Sequence, residues 1–311
     1  MATTAQRLTA LETFRDDQQR PWNKATSDRI GALEARLAKL EGASTPTPPV
    51  PVEKVARLTS ADSKTTFLAK TNDLTIDVIE LAAGTYTWQS TNITADRASR
   101  PLTIRPVAGA TCNFVGPANI DGTIFPMTGA KYVTFDGTPG AIVFRDFAIS
   151  QAGVFQPSGT QHCTFRALTF QNLRRDTAYS DQPYKTYCFY IYGQKNDDLL
   201  IDGCWFKAPA LRRDISCLQV ASSGTHGSIT IQNVREMTGY HYALSVDVPV
   251  SNLVLKDWVM TDTGRTAALA SIRIFPVIVN GSYSGIKATG CDKLKSESRG
   301  VFVNAGGNVG I

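Results

Sequence analysis

The stretch NDDLLIDGCWF, Asn196–Phe206, holds the pattern that decides the fold. An apolar-x-apolar triplet, Leu199-Leu200-Ile201, is followed by a polar residue, by Gly203 and by a second apolar pair. The triplet recurs as Ile79-Glu80-Leu81, Leu102-Thr103-Ile104, Val133-Thr134-Phe135, Cys163-Thr164-Phe165, Ile229-Thr230-Ile231, Leu253-Val254-Leu255 and Val277-Ile278-Val279, with starts 23 to 36 residues apart. A second series runs out of phase with it: Ile124-Phe125, Val154-Phe155, Phe189–Ile191, Cys217–Val220, Ala243–Val246, Ser271–Ile274 and Val301–Val303. Two families of short strands sharing one period are the trace of a coil wound many times. A β-sandwich would place its strands about 8–12 residues apart.

The pattern therefore predicts a parallel β-solenoid in which each strand pairs with its counterpart one coil later, about 4.8 Å away. The first and third residues of a triplet point inward and stack, and the middle one points out. One coil cannot bury its own apolar face, so neighbouring coils supply the core. Leu200, Val254 and Ile278 are apolar at the outward position, a candidate stripe for packing against sister subunits.

Composition narrows the classes. The chain has 311 residues, 42% of them hydrophobic, enough for a sizeable core. A net charge of +5 is mild and gives no reason to expect nucleic acid. There is no apolar run of about 18 residues, so no membrane insertion is expected. The opening MATTAQRLTALETFRDD lacks the layout of a signal peptide. Six cysteines form no CxxC, and three histidines offer little to a metal; no metal or cofactor is expected. Cysteines in or beside triplets read as small buried hydrophobes, reduced, in a protein made in a cytosol.

Residues 1–42 read as helical. Ile30, Leu33, Leu37 and Leu40 fall at a, d, a, d of two heptads, with Arg29 and Arg36 at g and Glu34 and Glu41 at e. The g-to-e pairs Arg29–Glu34 and Arg36–Glu41 suit a parallel coiled coil. Residues 43–52, ASTPTPPVPV, form a Pro-rich, extended linker. The body, 53–311, opens with a predicted short helix over Glu53–Asp73 and then DVIELAAGTY, Asp77–Tyr86.

At these residues, Val78, Ile79, Leu81, Ala82, Ala83, Gly84 and Tyr86, the chain resembles the pectate-lyase-like superfamily of right-handed parallel β-helices. The resemblance implies an all-β right-handed parallel β-helix with an N-terminal capping helix, here preceded by a short coiled coil. RIGALE and RLAKLE (Arg29–Glu34, Arg36–Glu41) also resemble a signature of three-stranded coiled coils. Stalk, linker and β-helix in that order resemble tail spikes and minor tail proteins of tailed bacteriophages. That likeness implies a homotrimeric virion component, assembled in the bacterial host cytoplasm. It would contact other tail proteins through its N-terminal segment and host envelope glycan through its body.

For glycan, LRRD repeats 38 residues apart as Leu173-Arg174-Arg175-Asp176 and Leu211-Arg212-Arg213-Asp214, placing these guanidiniums and carboxylates in adjacent coils. Tyr179, Tyr184 and Tyr187, with Tyr240, His241 and Tyr242, add aromatic faces. Planar donors beside rings hydrogen-bond hydroxyls and stack on sugars. The same residues also suit an Arg–Asp ladder tying turns together. Catalytic fragments are incomplete: Asp197-Asp198, Thr225-His226-Gly227 and Ile272-Arg273-Ile274 resemble polygalacturonase motifs with key positions changed. Asp136, Asp202 and Asp257 suggest an acidic row, interrupted by Gln232 and Asn280. No catalytic residue is assigned. The remaining readings are a polysaccharide-degrading β-helix hydrolase or lyase and a purely structural tail-tip subunit.

Overall fold

The computed structural model describes residues 29–33, 53–116, 120–121, 123–138, 141–150, 153–175, 186–207, 215–221, 224–238, 243–261, 270–274, 280–284, 287–289, 292–296 and 302–304. The chain divides into two units, Met1–Val52 and Glu53–Ile311. In the first unit residues 29–33 are helical, with Ile30 and Leu33 exposed. The other stalk residues, Glu34, Arg36, Leu37, Leu40 and Glu41, lie outside the described residues.

The second unit is built from parallel strands in three long sheets. Sheet A has ten strands: Val55–Leu58, Val78–Leu81, Leu102–Pro106, Val133–Asp136, Thr164–Arg166, Leu199–Asp202, His226–Gln232, Val250–Lys256, Asn280–Ser284 and Phe302–Asn304. Sheet B has eight: Gly84–Tyr86, Thr111–Val115, Ala141–Arg145, Leu168–Gln171, Trp205–Lys207, Glu236–Thr238, Val259–Thr261 and Lys287–Thr289. Sheet C has seven: Phe125–Thr128, Gly153–Ser158, Thr186–Ile191, Ile215–Val220, Leu244–Val246, Ala270–Ile274 and Asp292–Ser296. From Leu102 onward the chain visits A, B and C in turn, and each strand pairs with those one coil before and after. This is a parallel β-helix.

The predicted triplets build sheet A with the expected alternation. In Val133–Asp136, Leu199–Asp202 and Leu102–Pro106 the first and third triplet residues are buried and the middle one is half-buried. Four expectations need correction. The coil has three strand families, where the sequence pattern suggests two. Sheet B escapes the pattern because its strands are short and show one dominant inward ring per coil. Val277-Ile278-Val279 lies outside the described residues, and the strand continuing Leu253-Val254-Leu255 is Gly281-Ser282-Tyr283. Phe302 and Val303 belong to sheet A, paired with Gly281 and Ser282, because Asp292–Ser296 already continues sheet C.

The fourth correction concerns the cap. Val55–Leu58 is a strand paired with Val78–Leu81, and the helix, α1, spans only Lys64–Asn72. Ser63 caps it, its hydroxyl accepting from the Thr66 amide at 3.1 Å. Helix α1 stands where the first coil would otherwise expose its core. Phe67 is buried against Trp88, ring centroids 4.8 Å apart, and against Phe125 at 6.3 Å. Behind it the buried Arg97 donates to the carbonyls of Asp73, at 2.8 Å, and of Ile76, tying the helix's exit to the first coils. An uncovered end would leave both core and strand edge open.

The core is a set of side-chain rows, one residue per coil. Sheet B contributes Tyr86, Phe114, Phe144, Phe170 and Phe206, stacked at 5.1, 5.0, 5.3 and 5.2 Å. Sheet C contributes Phe125, Phe155 and Phe189 at 5.3 and 5.4 Å, and sheet A Phe135 and Phe165 at 5.9 Å. The spacings follow the coil rise, so offset stacking comes with the backbone register. Past Phe206 the rows turn aliphatic: Phe165 is continued by Ile201, Ile231 and Leu255, and Phe189 by Leu218, Leu244 and Ile272. Cys112, Cys163, Cys188, Cys204 and Cys217 are buried free thiols. Among the described residues no helix is long and apolar enough to cross a membrane.

Candidate functional site

The outer face of sheet C holds the most concentrated binding chemistry. In Thr186–Ile191 Cys188, Phe189 and Ile191 are fully buried, while Tyr190 stands half-buried at the outer face and Tyr192 follows it past the strand end. Tyr187, Tyr190 and Tyr192 stack in series, with centroids 4.8 and 4.9 Å apart and planes within 19° and 17°. The stack runs from Tyr187, almost buried, to Tyr192, 42% exposed. Burial, with help from the neighbouring phenol Tyr192 and from Asp247, pushes the Tyr190 hydroxyl up to about 12. Burial raises that of Tyr187 as well. Both are therefore protonated donors at neutral pH.

The next coils extend this face. Tyr190 is in register with Gln219, Ser245, Arg273 and Lys295. Gln219 donates through Nε2 to Asp247 Oδ2 at 2.6 Å, and Ser245 Oγ donates to Asp247 Oδ1 at 3.0 Å. The Asp247 carboxylate is thus fixed beside the tyrosines while its residue stays exposed. Rings with an ordered carboxylate and amide beside them can stack on a pyranose and exchange hydrogen bonds with its hydroxyls.

Of the residues suggested by the repeated LRRD, Arg174 and Arg175 form a short strand paired with the strand Ala148–Ser150, which on its other side pairs with Ile120–Asp121. This three-stranded strip lies in the connections from sheet B to sheet C. The buried Leu173 anchors its start. Asp176, Tyr179, Tyr184, Arg212, Arg213 and Asp214, with Tyr240, His241 and Tyr242, lie outside the described residues. Tyr187 is the one suggested aromatic that the structure brings into the sheet C stack. Its partners Tyr190 and Tyr192 hold the outward places of the alternation Phe189-Tyr190-Ile191-Tyr192, a signal present in the sequence.

The catalytic fragments resolve into structural roles. Asp197 Oδ1 accepts from the Ser228 amide at 2.9 Å, and Lys195 Nζ lies 3.2 Å from its other oxygen. The Ser228 hydrogen bond, aided by Lys195, holds this carboxyl below its usual range. A Cβ on Gly227 would stand 2.0 Å from Asp197 Oδ1, so glycine is required where the motif has it. His226 is fully buried, its Nδ1 accepting from the Asn196 amide at 3.1 Å; burial lowers its pKa and keeps it neutral. Asp198 turns to His162, Oδ2 to Nδ1 2.5 Å, and His162 stacks on Tyr132 at 4.4 Å. Arg273 stands in sheet C, on a different strand family from Asp197 and His226.

The expected acidic row is an alternating one. On the outside of sheet A, Glu80 pairs with Arg57 at 2.9 Å and Arg105 at 3.2 Å. Arg166 stands in register between Asp136 and Asp202, 3.5 Å from each. Asp257 lies one position beyond Lys256, the residue in register with Gln232. Opposite charges on adjacent coils relieve the repulsion that a carboxylate column would create, though exposed pairs like these contribute only about 0–1 kcal/mol each. Among the described residues no group of three or more His, Cys, Asp or Glu is placed to hold a metal ion.

No known family matches the chain, and no curated protein is detectably similar to it. The solved structures that overlap with it include two glucanase domains. One is the catalytic domain of a GH87 α-1,3-glucanase in complex with nigerose: 10% identity, 81% of this chain, 66% of that one, TM-score 0.25. The other is the D1069A form of such a domain with tetrasaccharides: 11% identity, 80% of this chain, 56% of that one, TM-score 0.22. At these scores the overlap carries no argument about chemistry, and the fold rests on the strand register described above.

Proposed function

We propose that the protein is a virion component of a tailed bacteriophage, of the tail-spike or minor-tail type, that holds host-surface glycan on the outer face of sheet C. The observation that carries this reading is the Tyr187–Tyr190–Tyr192 stack beside the ordered Asp247 carboxylate. Tyr192 offers its ring to the apolar face of a sugar and Asp247 accepts from its hydroxyls; the guanidiniums of Arg174, Arg175, Arg212 and Arg213 are the further donors this reading calls on. The order of helical segment, Pro-rich linker and capped β-helix supports the tail assignment. In this reading the coils wind right-handed, as crossovers between parallel strands do. The chain assembles as a homotrimer through the heptads of residues 29–41, and its N-terminal segment docks on other tail proteins.

The test is co-sedimentation of the intact protein with bacterial envelopes and binding to a glycan array, with its mass read in solution. The expected result is a trimer that binds envelope glycan, weakened about tenfold, near 1.4 kcal/mol, in Tyr192→Ala and in Arg174→Ala with Arg212→Ala. Binding unchanged in all these variants refutes the site. Release of reducing ends from the bound glycan would move the protein to the depolymerising class.

A further inference from the structure

The corner between sheets A and B is closed by one residue per coil: Gly137, Ala167, Gly203, Asn233 and Asp257. Each donates its amide to the next coil, for example Ala167 to the Asp202 carbonyl and Asn233 to the Lys256 carbonyl. Ala167, Gly203, Asn233 and Asp257 have φ of 52°, 65°, 52° and 54°, the left-handed turn that lets a single residue redirect the chain. Side chains at this column point away from the core. Where they are small, at Ala167 and Gly203, the surface drops into a groove of about 610 Å³. That lies within the ~300–1,000 Å³ of small-ligand sites.

The groove's chemistry is specific. Sheet A supplies Arg166 and Asp202, the corner supplies Asn233 and Asp257, and the approach to sheet B supplies Arg235 and the exposed Val259. Asp202 is held on both oxygens, by Asn233 Nδ2 at 2.7 Å and by Arg166 Nε at 3.5 Å. Arg235 lies over the Trp205 ring, 5.8 Å from its centroid, and forms no ion pair among the described residues. Its guanidinium therefore has donors to spare for a ligand. Two guanidiniums and two carboxylates leave the lining without net charge. An anion would meet Asp202 and Asp257, and a cation would meet Arg166 and Arg235. Hydroxyl groups, which both donate and accept, satisfy the two kinds together. Successive polar groups repeat at the coil rise, about 4.8 Å, so the ligand that fits is a chain lying along the coil axis.

We propose that this corner groove is a second saccharide site, binding a neutral hexose oligomer, separate from the sheet C face. Titration calorimetry of the full chain with neutral hexaoses of glucose, mannose and galactose, and with a hexuronate of equal length, tests it. The expected result is saturable binding of at least one neutral hexaose and weaker binding of the hexuronate. Arg235→Met keeps the apolar stem, and Asp257→Asn keeps shape and suits the left-handed turn. Each should weaken neutral binding about tenfold at unchanged thermal stability, a loss near 1.4 kcal/mol. Tyr192→Ala should leave this binding intact, so that failure of the sheet C site and failure of the groove are read separately. The proposal is overturned if no neutral hexaose binds, if the hexuronate binds more tightly, or if neutral binding survives both groove variants unchanged.

Discussion

Among the described residues Phe155 stands at the centre of the core's ring network, and its removal tests the stacked-coil account directly. It stacks between Phe125 and Phe189 at 5.3 and 5.4 Å. It also meets Phe135, Phe144, Phe165 and Phe170 at 5.0, 5.1, 4.8 and 6.3 Å. Truncating a buried Phe to Ala costs about 3–5 kcal/mol, more where the surroundings cannot close on the cavity. Rings fixed on neighbouring strands cannot close, so Phe155→Ala belongs at the upper end, near 5 kcal/mol. Phe206, last of the sheet B row, contacts only Phe170 and Phe189 among the aromatic pairs of the described residues. Phe206→Ala belongs near the lower end, about 3 kcal/mol. Urea titrations followed by far-UV circular dichroism give both values, with hydrogen exchange locating which coils open. A loss below about 1 kcal/mol for Phe155→Ala, or a smaller loss than for Phe206→Ala, refutes the assignment of Phe155 to the centre of the core.

Gly137→Ala should destabilise the A–B corner, because its Cβ would stand 2.1 Å from the Ala167 carbonyl oxygen; a melting curve unchanged from wild type contradicts the turn geometry. His226 resists protonation when folded, its burial lowering the pKa from 6.5, while the unfolded chain takes up a proton at that value. Its contribution is complete above pH 6.5 and lost as pH falls below it, so urea midpoints should drop between pH 7.5 and 5.5. The drop should be smaller in His226→Gln; parallel curves for the two proteins would rule His226 out as the cause. Burial pushes the thiols of Cys112 and Cys163 up to about 11 and that of Cys204 to about 12. Thiol reagents should therefore leave these three unlabelled in the native protein and label them after unfolding, as read by peptide mass mapping.

The rows of sheet A were legible in the sequence because period-two burial repeats one coil later, so that Leu199 and Ile201 mark the same face as Val133 and Phe135. Sheet B was not. Its strands are short, and four of them show one dominant inward ring each, Phe114, Phe144, Phe170 and Phe206. The charge alternation of Glu80 with Arg57 and Arg105, and of Arg166 with Asp136 and Asp202, becomes visible only once register is known. Read in chain order, the aspartates alone look like an acidic column. The cap was half legible: Phe67 and Leu68 marked the helix, while Val55 and Leu58 have the same spacing as a helical face and pair as a strand. In the candidate site, Tyr187 stood out by its loop, whereas Tyr190 and Tyr192 were hidden by inward neighbours that explained the segment without them.

The change from phenylalanine rows to aliphatic rows past Phe206 gives the molecule a direction. Helix α1 and the ring-filled coils lie toward the N-terminal end of the body, which leaves the ribosome first. Each later strand then finds a finished edge to pair with, and the aliphatic coils, with fewer ring contacts to nucleate them, need only dock on a template already in place. Synthesis and winding thus proceed the same way along the chain. A body with its aromatic coils at the far end would have to wait for its last residues before its first could settle.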